Sequence, residues 1–466
     1  MHRSHFCEQL NKKNIGDKVR LAGWVASRRD HGKIIFIDLK ERSGLIQLVF
    51  TPQNKRLYEL ADTLRTGWVI SVGGIIKARP QGMENPKIST GEIEFEVEEL
   101  DILNKAEVLP FEIEGEGYGI KEDLRLKYRY LDLRRPRMLE ILKIRQKVKN
   151  FTRNFLTEKG FIEVDTPILT KSTPEGARDF LVPSRHHPGK FYALPQSPQQ
   201  YKQLLMIAGI EKYFQFPFCF RDEDLRADRL LEFDQYDIEM SFVEQEDILR
   251  LTEELLTETC KKILKKEIQK KPFPRMSYEE VIKRYKTDKP DLREKKSSNS
   301  PLAFLWVLDF PMFEKREDGT WNPCHHPFTA LIDEHIPFLD QPQKIGQIKA
   351  KQYDLILNGV EVFGGSIRTH DPLILLKVFK ILGHSEKEVK EKFGHLLEAF
   401  KYGVPPHGGI AGGFARFLMA ALGEESIREV VPFPTTGQGT VSVMEAPAEV
   451  EENQLKELHL KILKKE

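Results

Sequence analysis

The chain has 466 residues, of which 72 are basic and 71 acidic, so its formal net charge is +1. Hydrophobic residues make up 40% and charged residues 31%, a balance that excludes disordered and collagen-like proteins. At about 150 residues per domain, this length predicts two to four domains. Near-neutrality does not exclude nucleic-acid binding, because binding depends on local basic clusters rather than on the net charge.

The cysteines and the N-terminal segment bear on the cellular compartment. The four cysteines, at positions 7, 219, 260 and 324, form no CxxC motif, which argues against a disulfide framework or a structural zinc site. The segment MHRSHFCEQL lacks the apolar core of a signal peptide, and no apolar run approaches the roughly 18 residues of a membrane span. We therefore expect a cytoplasmic protein that has no membrane contact.

Five short strand-like segments occupy the first hundred residues: VRLAGWVASRR, KIIFIDLK, GLIQLVF, WVISVGGIIKARP and GEIEFEVEELDIL. A helical stretch at 55–64 lies between the third and fourth segments. Three strands, a helix and two further strands is the order of an OB-type β-barrel. We predict an OB-fold domain over 1–103, followed by an irregular hinge over 104–135.

Residues 136–466 are predicted to form a larger α+β domain. Apolar residues from Ile141 to Phe155 recur every three or four positions, which predicts a helix that Gly160 ends. A strand at a sheet edge follows at 161–169, and two more strands are predicted in YFQFPFCFRDED and LEFDQYDIEMSF. Helical patterns return at 246–266 and 373–382, and a short linker lies near 293–301.

Two of these strands carry polar residues on one face. At period two, one face of LEFDQYDIEMSF carries Phe233, Gln235, Asp237 and Glu239, which is too acidic for a core. Arg221 and Glu223 share a face of the neighbouring strand, so an arginine could meet a phosphate while an aromatic ring stacks on a base. The pattern by itself fits a solvated sheet face with surface ion pairs equally well.

A hairpin is predicted in YDLILNGVEVFGGSIR, because the Asn-Gly pair at 358–359 is a strong two-residue turn signal. Continuing that register places Asp354 opposite Phe363 and puts Asp354 and Glu361 on one face as diagonal neighbours. Like charges so close repel unless a cation lies between them, and Mg²⁺ with phosphate oxygens would supply it. Two solvated carboxylates are the alternative that the spacing leaves open.

Three weaker signals remain. The glycine-rich GGIAGGFARF, which contains Arg416, could let backbone approach a nucleotide, although such turns are common. Polar residues beside turns and a helix start are Glu175, Ser197, Gln199 and Lys202. The pair His325 and His326 has no further Cys or His at ligand spacing, which disfavours a metal site there.

Six motifs, in this order along the chain, resemble those of bacterial-type aspartyl-tRNA synthetase: TPEGARDFLVPSR, FYALPQSPQQYKQLLM, FRDEDLRADR, HHPF, NGVEVFGGSIR, and PPHGG with the later arginine. The resemblance covers nearly the whole chain. It implies an OB-fold anticodon-binding domain and a class II catalytic domain whose antiparallel β-sheet is flanked by helices. GFIEVDTPILT resembles motif 1, the dimer-forming element, while FRDED with the next strand resembles motif 2 and GGIAGGFAR resembles motif 3.

The activity that the resemblance implies is that of an aspartate–tRNA ligase. L-Aspartate attacks the α-phosphate of ATP to form aspartyl-adenylate and pyrophosphate, and the acyl group then passes to the terminal ribose of tRNA(Asp). The resemblance also implies Mg²⁺ and a homodimer. No residue needs to act as a nucleophile, so catalysis is mainly positioning and charge neutralisation.

By position, the resemblance assigns residue roles in the catalytic domain. ATP contacts are assigned to Arg221, Glu223, Phe233, Glu361 and Arg416, of which Arg221, Glu223 and Arg416 are the catalytic set. Aspartate contacts are assigned to Glu175, Ser197, Gln199, Lys202, Gln235, Asp237, His326 and Arg368. Mg²⁺ ligands are assigned to Asp354 and Glu361. Lys202 and Arg368 would be the pair that selects aspartate over asparagine.

Anticodon contacts are expected on the barrel. Phe36 can stack on an unpaired base, and Arg29 and Gln47 can hydrogen-bond base edges. The alternative for Phe36 is a place in the barrel core, since aromatic strand residues are usually buried. His31 and Gly82 resemble residues of family members that charge both tRNA(Asp) and tRNA(Asn), so both tRNAs are expected partners.

Four positions depart from the family pattern: Asp234, Phe363, Ala415 and Thr435 stand where the family usually has Thr, Gly, Asp and Lys. In the predicted hairpin register Phe363 faces the metal and could crowd ATP. The alternative function is therefore a synthetase-like protein that binds tRNA or nucleotide with impaired catalysis. An asparaginyl or lysyl ligase is disfavoured by TPEGARD and QSPQQYK. The family's insertion domain is expected to be absent and replaced by the 293–301 linker.

Overall fold

A computed structural model describes residues 2–173, 176–297 and 300–463. By internal contacts the chain divides into two compact units. The first comprises Met1–Ile120 and Arg134–Leu139, and the second comprises Lys121–Leu133 and Glu140–Glu466. Most of the predicted hinge before residue 120 therefore packs with the first unit, whereas the short helices after it pack with the second.

The first unit contains a closed five-stranded barrel, as the sequence predicted. Its elements are β1 (Lys18–His31), β2 (Ile34–Glu41), β3 (Gly44–Phe50), α1 (Lys55–Asp62), β4 (Val69–Ala78) and β5 (Ile93–Asn104). The strands pair in the order β1-β2-β3-β5-β4, and β1 pairs with β4 to close the barrel. Asn54 caps α1 by accepting a hydrogen bond from the Leu57 N–H, which fixes where the helix begins.

Alternation along β2 decides which side chains fill the barrel. Ile35, Ile37 and Leu39 are fully buried in its core. Phe36 lies between the first two and points to the outer face, where it is only half-buried. The alternative that placed Phe36 in the core is therefore wrong, because the core side of β2 belongs to its two isoleucine neighbours.

The second unit is built on one large sheet flanked by helices. Its helices are α2 (Glu122–Lys127), α3 (Arg129–Asp132), α4 (Pro136–Glu158, whose first turn groups with the first unit), α5 (Gln199–Ile207), α6 (Gln245–Thr259), α7 (Tyr278–Tyr285), α8 (Pro372–Ile381), α9 (Glu386–Phe400), α10 (Phe414–Leu422) and α11 (Glu452–Glu457). Its strands are β6 (Ile162–Glu163), β7 (Leu181–Pro183), β8 (Phe191–Ala193), β9 (Lys212–Gln215), β10 (Phe218–Phe220), β11 (Glu232–Ser241), β12 (Arg275–Ser277), β13 (Phe304–Leu308), β14 (Phe313–Lys315), β15 (Trp321–Pro323), β16 (Gln352–Leu357), β17 (Val360–Ile367) and β18 (His407–Gly413).

The large sheet has the order β12-β13-β16-β17-β18-β11-β9-β6, and β10 pairs with β11 beside it. Its central strands are antiparallel, as predicted, but the edge pairs β12–β13 and β6–β9 are parallel, so the sheet is mixed. Among the described residues, no helix combines the length and the apolar character that a bilayer crossing requires.

One face of the sheet packs into the main hydrophobic core. Tyr236, Ile238 and Met240 of β11 lie there, together with apolar residues of α4, α6 and α10. Because side chains alternate along a strand, the intervening polar residues of β11 lie on the opposite face. That face carries the cavity described below.

The hairpin of β16 and β17 departs from its predicted register. Pairing begins as expected at the 358–359 turn, but a β-bulge shifts the register between Leu355 and Ile356. As a result Asp354 pairs with Gly364, and Phe363 pairs with Leu355 on the core face. Phe363 is 2% exposed, and its ring contacts Tyr236 at 5.4 Å between centroids. The prediction that Phe363 faces the metal is wrong, since the extra residue of the bulge turns its side chain into the core.

We expect Phe363→Ala to lower the free energy of unfolding by about 3–5 kcal/mol, because it removes a large buried side chain and leaves a cavity. Phe242→Ala is the matched control: Phe242 is 69% exposed, so the change should be at most about 0.5 kcal/mol. Urea denaturation of both variants measures the difference. A small loss of stability in Phe363→Ala, together with tighter ATP binding, would indicate that Phe363 faces the cavity, as the predicted register requires.

Candidate active site

A cavity of about 290 Å³ opens on the polar face of the large sheet. It is lined by every described residue to which the sequence assigned a role in the catalytic domain: Ser197, Gln199, Lys202, Arg221, Glu223, Phe233, Gln235, Asp237, His326, Asp354, Glu361, Arg368 and Arg416. Glu175, the remaining predicted aspartate contact, lies outside the described residues. Residues that are more than 200 positions apart in the sequence therefore share one cavity.

Local structure explains how these side chains converge. Gln199 and Lys202 lie three residues apart on α5 and so share one face of that helix. Gln235 and Asp237 follow the period of two along β11. Arg368 comes directly after the end of β17. Two strands and a helix thus deliver polar groups to one place.

A buried ion cluster lies against the cavity. Lys202 Nζ lies 2.7 Å from Asp237 Oδ1 and 3.1 Å from Glu239 Oε2. Arg368 Nε lies 2.9 Å from Glu239 Oε1, and its Nη2 lies 3.1 Å from Glu239 Oε2. All four residues are at most 5% exposed. Glu239 therefore bridges the two cations, which converge as the aspartate hypothesis requires.

Glu239 is a residue to which the sequence assigned no role, although its place on the acidic face of β11 was a usable signal. Room for its carboxylate comes from the neighbouring strand β18. A Cβ at Gly409 would lie 2.0 Å from Glu239 Oε2, so a larger residue there would collide with the carboxylate. The glycines of β18 thus allow close packing between neighbouring strands, in addition to the close approach of backbone to a nucleotide that the sequence suggested.

Electrostatics set the protonation of this cluster. Burial by itself would raise the pKa of Glu239, but Arg368 and Lys202 lower that pKa to about 2. Burial raises the pKa of Asp237 above its usual value, and Lys202 offsets only part of this effect. Burial, with Arg368 and Lys202 nearby, lowers the pKa of His326 to about 3. His326 is therefore neutral at pH 7.

Several buried polar atoms in the cavity have no hydrogen-bond partner among the described residues. They are Gln199 Nε2, Gln235 Oε1, Asp237 Oδ2 and both ring nitrogens of His326. An unsatisfied buried polar atom costs about 1–3 kcal/mol, so such atoms are usually satisfied by water or a ligand. The acceptor oxygens of Gln235 and Asp237, beside a pair of cations, match a small molecule that carries both an ammonium and a carboxylate group.

A second part of the cavity combines arginines, an aromatic ring and carboxylates. The Arg221 guanidinium carbon lies 5.2 Å from the centre of the Phe233 ring. Glu223 pairs with Arg229 at 3.1 Å, and Arg416 Nε lies 3.6 Å from Asp228 Oδ2. Arg229 and Asp228, which also line the cavity, are two further residues to which the sequence assigned no role.

Asp354 and Glu361 both line the cavity, and each has a cationic or hydrogen-bonding partner. His325 Nε2 lies 3.1 Å from Asp354 Oδ2, and Gln352 Nε2 donates to Asp354 Oδ1 at 2.8 Å. Burial raises the pKa of Asp354. Burial would also raise the pKa of Glu361, but Lys289, 2.6 Å away, brings that pKa below its usual value.

The remaining departures from the family pattern have defined surroundings. Asp234 accepts a hydrogen bond from Arg145 and pairs with Lys149, both on α4 and each at 2.8 Å. Ala415 is buried in the first turn of α10 and lines the cavity with a small side chain. Thr435 Oγ1 is buried with no hydrogen-bond partner in the part of the chain that the structure describes.

On the barrel, the predicted anticodon residues are only partly grouped. Arg29 pairs with Phe36 across β1 and β2, and its guanidinium binds Asp38 at 2.6 and 2.8 Å. Asp38 pairs with Gln47 across β2 and β3, so these side chains share an outer face. The His31 ring lies 6.3 Å from that of Phe36. Gly82 lies in the connection between β4 and β5, where its N–H donates to Glu84.

Family models match both parts of the chain. Residues 121–437 match "tRNA synthetases class II (D, K and N)", and residues 19–103 match "OB-fold nucleic acid binding domain". A curated relative, the aspartate–tRNA(Asp/Asn) ligase of Dictyoglomus turgidum, is 43% identical and covers 99% of this chain and 98% of its own length. The enzyme of the same name from Halothermothrix orenii is 42% identical and covers 99% of both chains.

Solved structures share the fold. Asparaginyl-tRNA synthetase from Pyrococcus horikoshii, complexed with asparaginyl-adenylate, has a TM-score of 0.76 at 24% identity and covers 94% of this chain and 99% of its own. Aspartyl tRNA synthetase from Entamoeba histolytica has a TM-score of 0.73 at 22% identity, with 92% and 91% covered.

The length of the alignments bears on the expected loss of an insertion. The match to the Dictyoglomus turgidum enzyme extends over 588 aligned positions, whereas this chain has 466 residues. At least 122 positions of that relative therefore have no counterpart here. With one family model covering more than half of the chain and relatives above 40% identity over nearly all of it, the chain belongs to the class II tRNA synthetases of the D, K and N group and carries an OB-fold nucleic-acid-binding domain.

Proposed function

We propose that the chain is an aspartate–tRNA ligase that activates L-aspartate with ATP and transfers it to tRNA(Asp). A carboxylate oxygen of aspartate forms a bond to the α-phosphorus of ATP while the bond to pyrophosphate breaks. The terminal ribose hydroxyl of tRNA then takes the acyl group and AMP leaves. The observation that carries the proposal is the buried cluster of Lys202, Glu239 and Arg368 beside unsatisfied polar atoms in a synthetase cavity.

Aspartate is selected by charge. Aspartate and asparagine are nearly isosteric, and a discrimination of about 10⁴ requires roughly 5.5 kcal/mol. One neutral hydrogen bond contributes only about 1 kcal/mol, whereas a desolvated carboxylate paired with two cations reaches the required scale. Lys202 and Arg368 bind the side-chain carboxylate, and Asp237 with Gln199 and the undescribed Glu175 receives the ammonium group.

The rest of the aspartate pocket is uncharged. Gln235 offers a buried acceptor oxygen that has no partner among the described residues. His326 is neutral because its pKa is about 3, so it can accept a hydrogen bond at one ring nitrogen and donate one at the other. Ser197 also lines the cavity. These groups orient the substrate without adding charge to a site where charge decides specificity.

ATP occupies the second part of the cavity. Arg221 binds the α-phosphate, Glu223 accepts from the adenine amino group, and the ring of Phe233 stacks on the base opposite Arg416. Support comes from the geometry, since all four line the cavity and Arg221 already lies over Phe233. Neutralising the α-phosphate by preorganised cations lowers the barrier to attack.

Asp354 and Glu361 fit a Mg²⁺ ion that is shared with ATP. Mg²⁺ is usually held by one or two carboxylates together with phosphate oxygens and water. No group of three or more His, Cys, Asp or Glu residues that could hold a metal occurs in the described ranges. When bound, Mg²⁺ supplies charge neutralisation on the triphosphate. The two carboxylates would hold it, and the hydrogen bond from Gln352 orients Asp354.

Anticodon recognition belongs to the outer face of the barrel. Phe36 is half-buried and free to stack on a base, which is worth about 1–3 kcal/mol, and Arg29 with Gln47 can reach base edges. We propose that tRNA(Asn) is charged as well as tRNA(Asp). Support comes from His31, Gly82 and the Asp/Asn specificity that the names of the curated relatives state.

The alternative, a binding protein with impaired catalysis, loses its main argument. It depended on Phe363 crowding ATP, whereas that ring, although it borders the cavity, packs into the core against Tyr236 and Phe417. The cytoplasmic location stays a prediction.

Lys202→Met should abolish aspartate-dependent ATP–pyrophosphate exchange, because the selecting cation is lost, and leave the Kd for ATP within about twofold. The control is Lys390→Met, which removes an exposed lysine on α9 and should change neither quantity. Thermal unfolding reports whether both variants fold. Wild-type exchange rates in Lys202→Met would refute the proposed aspartate pocket.

Purified tRNA(Asp) and tRNA(Asn) should both accept aspartate from the wild-type chain. Phe36→Ala should lower kcat/KM for both tRNAs by about 5- to 150-fold, since it removes a stacking platform, and leave pyrophosphate exchange unchanged. Aminoacylation assays with radiolabelled aspartate measure this. Absence of product on tRNA(Asn) ends the dual-specificity proposal, and an equal loss of exchange in Phe36→Ala ends the stacking role.

We expect a homodimer through the segment at 161–169. The strand β6 forms an edge of the large sheet, and Ile162, Ile168 and Leu169 are about half exposed in the single chain. Light scattering should give about twice the 54.1 kDa chain mass, and Ile162→Lys should shift the protein towards the monomer. A wild-type mass equal to one chain contradicts this assembly.

A further inference from the structure

Lys289 lies next to the cavity, and neither the motifs nor the proposed reaction gives it a role. Its Nζ lies 2.6 Å from Glu361 Oε2. The side chains of Lys289 and Glu361 are 39% and 30% exposed, so the pair can be reached from solvent. Its partner is one of the two carboxylates that we assign to Mg²⁺.

Packing fixes the segment that carries Lys289. The segment lies between α7 and β13, and Leu292 packs against Val281, Leu305 and Ile356. Asp291 lies close to the β16–β17 turn, since a Cβ on Gly359 would be 3.0 Å from Asp291 Cβ. Lys289 is therefore held beside the β16–β17 hairpin, which carries Glu361 just after its turn, although the Lys289 side chain is partly exposed.

Each of the two carboxylates has a cationic or polarisable partner from the protein. His325 contacts Asp354 at 3.1 Å, and Lys289 contacts Glu361 at 2.6 Å. The two partner side chains differ in conformational freedom. His325 is a short side chain packed against Phe310, with ring centroids 4.7 Å apart, whereas Lys289 is a flexible stem that ends in a compact charge with three donors. Lys289 can leave its carboxylate without disturbing the core.

We propose that Lys289 is a positioning residue for the triphosphate of ATP. It neutralises Glu361 in the nucleotide-free chain and moves to the terminal phosphate oxygens when Mg²⁺ and ATP arrive. A cation bound by Glu361 would repel the Lys289 ammonium group, which lies 2.6 Å from the Glu361 carboxylate, and the oxygens of a bound triphosphate would then be its strong acceptors. This inference rests on the proposed function, because it requires ATP in the cavity.

The test compares Lys289→Met and Lys289→Arg with the control Lys296→Met. Lys296 lies on the same segment, 3.6 Å from Asp291, with a side chain that is 69% exposed. Titration calorimetry at saturating Mg²⁺ and without aspartate gives the Kd for ATP, inorganic pyrophosphate and AMP. We expect Lys289→Met to weaken ATP and pyrophosphate at least about tenfold and to leave AMP within about twofold. Lys289→Arg should retain most of the affinity, and Lys296→Met all of it.

An unchanged Kd for ATP in Lys289→Met overturns the proposal, and so does an equal weakening of ATP and AMP, which would indicate a general distortion of the cavity. Lys289→Gln replaces Lys289→Met if thermal unfolding shows that the methionine variant does not fold. The proposed function fails separately, if wild-type protein binds ATP but shows no aspartate-dependent exchange. The contrast between ATP and AMP can still be measured in that case.

Discussion

The buried cluster of Lys202, Glu239 and Arg368 is the interaction on which the rest of the cavity depends. Removing charges from water costs several kcal/mol per ion, so the cluster persists only because each cation meets a carboxylate at hydrogen-bond distance. Glu239 can bridge both cations because Gly409 on the adjacent strand has no side chain. The missing side chain at Gly409 of β18 thus allows the ion cluster around Glu239 of β11 to form.

The same principle extends across the proposed nucleotide half. Glu223, Arg416 and Glu361 each have an internal counter-ion, namely Arg229, Asp228 and Lys289. A ligand that binds there exchanges one partner for another instead of meeting a bare charge. Because these pairs are partly exposed, each contributes little to stability and can open at small cost. The proposed aspartate half, by contrast, is buried and preorganised.

The predicted linker at 293–301 takes no part in this arrangement. No described residue that lines the cavity comes from the linker, although at least 122 positions of a close relative have no counterpart in this chain. Helix α5, strands β11, β16 and β17, and the residue that follows β17 carry the charged groups of the proposed aspartate and metal sites. The absence of those positions is therefore compatible with this cavity, because these charged groups belong to the sheet and to α5 rather than to the 293–301 segment.

Periodicity in the sequence was enough to predict the barrel, the two faces of β11 and the position of the β16–β17 turn, because each depends on residues that are neighbours along the chain. Three features depended on the tertiary structure. The bulge turned Phe363 into the core, Ile35 and Ile37 filled the barrel so that Phe36 faced outwards, and Glu239 became the bridge between Lys202 and Arg368. Each depends on which strand or helix lies alongside, and a repeat read along one segment carries no information about its neighbours in space.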